Sequence, residues 1–93
     1  MGKIFKYEVG FAQNQVIDMP RGATILALQV QYEKPVIWAL VDPDAPCEPR
    51  TFVTVGTGHE MPPFEDQGGQ QRTYIGTYQV NGGRLVFHVF EET

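Results

Sequence analysis

The stretch RTYIGTYQV-NGG-RLVFHVF, residues 72–90, decides the fold. Asn81-Gly82-Gly83 stands between two runs rich in aromatic and β-branched residues, Arg72 to Val80 and Arg84 to Phe90. Asn-Gly supplies the left-handed backbone that a tight hairpin turn requires, so these runs are read as paired antiparallel strands. In the second run Leu85, Phe87 and Val89 fall on one face and Val86, His88 and Phe90 on the other. Both faces are partly apolar, which predicts a packed or interfacial position for His88.

Working outward, the same period of two recurs. Leu26, Leu28, Val30 and Tyr32 alternate with Ala27, Gln29 and Gln31, which predicts a half-buried strand with the first four on one face. Val36 to Val41 is apolar on both faces, as in a central or covered strand. Ile4 to Val9, Gln15 to Met19 and Thr51 to Val55 read as further strands. Pro20 to Ala23 reads as a turn, and Asp42 to Arg50, with three prolines, as a loop. Glu60 to Gln71, with Pro62, Pro63, Gly68 and Gly69, is the longest irregular segment. No segment carries a helical apolar stripe. The expected fold is all-β: a compact single domain over residues 1–93, a sandwich or open barrel of six to seven mainly antiparallel strands.

Composition narrows the function. At 93 residues, 42% apolar and 19% charged, the chain has the make-up of one globular domain. No apolar run is long enough for a transmembrane helix and no signal peptide is visible at the N-terminus, so no membrane role is expected. Cys47 is the only cysteine, which favours a reducing cytoplasm. The formal charge of −4 divides into +1 over residues 1–34 and −5 over residues 35–93. Without clustered Lys and Arg, duplex nucleic acid is not an expected partner. A single nucleotide needs only two or three donors.

No chemistry-bearing motif singles out an enzyme. Cys47, His59 and His88 lack the paired spacing of zinc sites, and Asp42, Asp44 and Glu48 lack the glycine turn of a calcium loop. No metal or cofactor is therefore expected. The sequence has no serine, and Glu48 beside Cys47 works against a reactive thiolate. A binding protein is the better expectation. Gly56-Thr57-Gly58-His59 is the leading ligand candidate, because backbone amides flanked by glycines converge on anions. Two glycines after a strand more commonly form only a turn. Arg50, Arg72 and Arg84 flank strands as potential phosphate clamps, though they equally balance the carboxylates. Trp38 is core by default, yet an indole face also stacks on bases. The candidate ligand site is drawn from Trp38, Arg50, Gly56, Thr57, Gly58, His59, Arg72 and His88.

Several blocks resemble, in order, a family of small phage and prophage proteins described as a domain of unknown function. They are Gly22-Ala23-x-Ile25, Gln29-Val30-Gln31, Trp38 to Pro43, Gly56 to His59, Tyr74 to Thr77 and Leu85 to Phe90. The resemblance spans nearly the whole chain, with an expanded segment at Glu60–Gln71. It implies a phage-encoded protein acting in the cytoplasm of an infected bacterial host. That origin, the missing catalytic motifs and the Gly56–His59 run together lead to the expectation of a counter-defence role in which a nucleotide-type immune signal is sequestered without turnover. The alternative is a protein–protein module that inhibits a host defence protein or serves as a structural or accessory component of the phage. Such an all-β domain has edge strands to offer, and a homo-oligomer is expected.

Overall fold

Two short antiparallel sheets divide the seven strands. In the computed structural model, which describes residues 2–64 and 71–93, the strands are β1 (Lys3–Glu8), β2 (Asn14–Pro20), β3 (Thr24–Gln31), β4 (Lys34–Val41), β5 (Cys47–Gly56), β6 (Arg72–Val80) and β7 (Leu85–Glu92). One sheet has the order β1-β4-β3 and the other β2-β5-β7-β6, with every pairing antiparallel. The sheets do not close into a barrel, and the described residues contain no helix. Residues 65–70 of the long irregular segment lie outside the described residues.

The apolar run of β4 is central in its sheet. Ile37, Ala39 and Val41 face inward and meet Met19, Phe52, Tyr78, Val80 and Val89 of the other sheet in one buried cluster. Trp38 alternates to the outward face. Burying these side chains contributes roughly 1.5–3 kcal/mol for each large one, which is what holds two otherwise small sheets together.

Two expectations need correction. Of the predicted face Leu26, Leu28, Val30 and Tyr32, only Leu28 packs against the core, joined there by Ile25. A β-bulge between Ile25 and Ala27 inserts Leu26 as an extra residue and resets the alternation. Leu26 is 49% exposed, and Tyr32 is 90% exposed in the two-residue turn it forms with Glu33. The second correction is that Cys47 to Arg50 is strand and not loop. Pro49 is tolerated because, among the described strands, β2 alone pairs with β5 at that level; pairing with β7 begins at Thr51. Thr54 donates toward β2, to Gln13, so alternation puts the position of the missing Pro49 N–H on the unpaired side.

The hairpin of residues 72–90 forms as its turn chemistry predicts. Asn81, Gly82 and Gly83 all take left-handed φ values of 56°, 66° and 86°. β6 carries its own bulge, between Tyr74 and Gly76, close to where it approaches β3 of the opposite sheet.

Candidate functional site

β5 ends at Gly56, opposite Phe87 of β7, and the chain then turns back on itself. The Thr57 amide donates to the Val86 carbonyl (3.1 Å), and the His59 amide donates to the Gly56 carbonyl (3.1 Å). Two of the amides in the Gly56–His59 run are therefore committed to the turn. Gly58 sits at φ +87°, a conformation that disfavours any side chain, while its surroundings have room for one. A Cβ at Gly56 would lie 3.3 Å from Nδ1 of His59, so the exposed imidazole would have to give by a few tenths of an ångström. The imidazole of His59 thus rests against its own turn.

This turn and the β6–β7 hairpin enclose an open cleft of about 360 Å³, lined by Gly56, Thr57, His59, Arg84, Val86 and Phe87 among others. Arg84 pairs with no described carboxylate.

His88 lies just beyond, on the outward face of β7. Its Nε2 is 2.7 Å from the Thr57 hydroxyl, and its Nδ1 is 2.9 Å from the Thr77 hydroxyl. Thr77 in turn bonds the Tyr74 hydroxyl. One line of polar groups therefore crosses from β6 over β7 to the end of β5. Val55 lies opposite His88 and Phe90 follows on the same sheet face, and His88 is half-buried there.

The other candidate residues are placed elsewhere. Arg50 makes a bidentate pair with Glu91, Nε to Oε2 at 2.5 Å and Nη2 to Oε1 at 2.7 Å, and Nη1 donates to the Ala23 carbonyl (2.5 Å). The bonds to Glu91 raise the guanidinium pKa above its ordinary value, against an opposing effect of burial, with Glu48 adding to the rise. Arg72 donates to Glu92 (2.8 Å) and to the Pro62 carbonyl, and its guanidinium carbon lies 4.2 Å from the centre of the Phe64 ring. Both arginines are spent on the protein itself. Larger clefts of about 440 and 470 Å³ flank the Arg50–Glu91 pair, but its donors and acceptors are already matched. Trp38 stands on the outward face of the other sheet, its indole N–H bonded to Gln29 (3.0 Å).

Among the sequence-derived candidates the structure thus unites Gly56, Thr57, Gly58 and His59 with His88. It leaves Trp38, Arg50 and Arg72 apart. Arg84 was legible as a strand-flanking cation; Thr77 and Tyr74 gave no signal, because a hydroxyl network across strands depends on register.

A family model described as Domain of unknown function (DUF7352) matches residues 1–93. The chain belongs to this family. No curated protein and no solved structure matches the DUF7352 chain.

Proposed function

We propose that this protein is a binding protein that holds a small phosphate- or carboxylate-bearing ligand of mononucleotide size in the Gly56–His59 cleft. The observation that carries the reading is Arg84, a cation with no described carboxylate partner that lines one cleft with Thr57, His59 and the apolar Val86 and Phe87. Guanidinium offers a phosphate two parallel donors, and the apolar lining suits a sugar or base edge. The cleft is near the small end of ligand sites. It therefore favours one nucleotide or a nucleotide-sugar over a larger cyclic oligonucleotide.

Phage origin would give such binding a purpose. A protein that holds an immune signal in an infected bacterial cytoplasm needs affinity and copy number, not turnover. One observation favours a protein partner instead: Ile4 and Leu40 face each other across β1 and β4 on the outward side, 62% and 43% exposed, next to the unpaired edge of β1. Such an edge accepts a strand from another chain, including a second copy.

A thermal-shift screen against mononucleotides, ADP-ribose and cyclic di- and trinucleotides separates these readings. Ligand at 100 times its dissociation constant adds about 2.7 kcal/mol. For a domain of this size each kcal/mol moves the midpoint by roughly 4–8 °C. A rise confined to one nucleotide class, lost in Arg84→Gln, supports the cleft. No rise with any compound refutes the nucleotide reading.

A further inference from the structure

The line Tyr74–Thr77–His88–Thr57 meets the binding cleft only at Thr57, and its geometry points to a second property. We propose that Thr57 is an activated hydroxyl that accepts the acyl group of activated esters, with His88 as its general base. A hydroxyl nucleophile needs a base within about 2.6–3.2 Å, and that base needs a third group to fix its tautomer. Thr57 Oγ1 lies 2.7 Å from His88 Nε2, and Thr77 Oγ1 lies 2.9 Å from His88 Nδ1. With the ring hydrogen on Nδ1 donated to Thr77, Nε2 is left to take the Thr57 proton.

Access and charge stabilisation are also in place. Thr57 is exposed on a turn between two glycines, so no neighbouring Cβ blocks approach to its hydroxyl. The amide of Gly58, the residue after the nucleophile, donates to no described residue and is left to donate to a developing oxyanion.

The step balances as follows. Thr57 Oγ1 bonds the ester carbonyl carbon while its proton passes to His88 Nε2. The tetrahedral intermediate collapses, the carbon–oxygen bond to the leaving group breaks, and the departing oxygen takes the proton back from His88. The products are acyl-Thr57 and an alcohol or phenol. Thr77 presents a neutral hydroxyl where hydrolases place a carboxylate, so the imidazolium gains little stabilisation. That slows both half-reactions, but a phenolate leaves far more readily than the Thr57 alkoxide, so acylation by an activated ester outruns hydrolysis of acyl-Thr57 and capture is stoichiometric rather than rapidly catalytic.

Full-length protein treated with p-nitrophenyl acetate tests the proposal. The expected result is one equivalent of p-nitrophenolate released and an acetyl group on the peptide containing Thr57. Thr57→Ser keeps the reaction and Thr57→Val abolishes it. His88→Asn slows it by about 100-fold or more, the usual contribution of a general base. Thr77 is a positioning residue: Thr77→Val changes the pH profile of acylation rather than the residue labelled. The two readings have separate readouts: a thermal shift with adenosine monophosphate, lost in Arg84→Gln, reports the cleft, and the acetyl group on Thr57 from a neutral ester reports the hydroxyl, so failure of one is distinct from failure of the other. Acetyl groups found on lysines or His59 alone, or undiminished labelling in a folded Thr57→Val variant, would overturn the proposal.

Discussion

Gly76 lies where a side chain would collide with Leu28 of the opposite sheet: a Cβ at position 76 would stand 3.2 Å from both Cβ and Cδ2 of Leu28. The bulge just before Gly76 brings β6 against β3, and the absent side chain lets the two sheets approach. Gly76→Ala is expected to destabilise the protein by about 1–3 kcal/mol, the usual cost of overpacking. Chemical denaturation of Gly76→Ala, Leu28→Ala and the double variant measures the coupling. If the contact is the cause, the double variant is more stable than the two single effects predict.

Arg50 joins β5 to Glu91 of β7 and to the Ala23 carbonyl before β3, and so ties both sheets at one end. The pair is largely buried, at 17% and 9% side-chain exposure. Arg50→Ala leaves Glu91 without its partner and is expected to cost about 3–5 kcal/mol. Replacing both members with apolar residues, as in Arg50→Met with Glu91→Leu, is expected to cost much less. Urea unfolding of the two variants decides it.

The β3–β4 turn is made by Tyr32 and Glu33, with φ of 52° and 66°. Left-handed backbone costs an ordinary L-residue roughly 1–2 kcal/mol, and Asn-Gly is the pair that tolerates it. Tyr32→Asn with Glu33→Gly is therefore expected to stabilise the fold by about 1 kcal/mol. A raised thermal midpoint checks this.

Tyr78 is 3% exposed and its hydroxyl has no hydrogen-bond partner among the described residues. Burial pushes its pKa up to about 12 from the ordinary 10.0. Tyr78→Phe removes the unmatched group and is expected to stabilise the protein by about 1 kcal/mol. The pH sign follows from the raised folded value. Stability is intact below pH 10, where both states keep the proton, and falls as pH rises toward 12, where only the unfolded state readily loses it. The stability advantage of Tyr78→Phe is therefore expected to widen above pH 10 in equilibrium unfolding.

The turn chemistry of Asn81–Gly83 and the doubly apolar run of Val36–Val41 were readable because each depends on neighbours in sequence. The bulges at Leu26 and Ile75 were not, since the apolar–polar pattern of Leu26 to Tyr32 runs on unbroken in the sequence while the extra residue changes which face its neighbours take. Pro49 hid the first turn of β5 for a related reason: whether a missing N–H matters depends on which side has a neighbour. At the site, the glycines of Gly56–His59 marked the turn. The loss of Arg50 and Arg72 as clamps rested on Glu91 and Glu92, partners 41 and 20 residues away that composition counts but does not place.

The measurement that bears most directly on the binding cleft is an NMR titration of isotope-labelled protein with adenosine monophosphate and ADP-ribose. The account predicts saturable shifts gathered at residues 56–59 and 84–87 and absent in Arg84→Gln. Shifts gathered on the Ile4, Trp38 and Leu40 face, or none with either ligand, would contradict it.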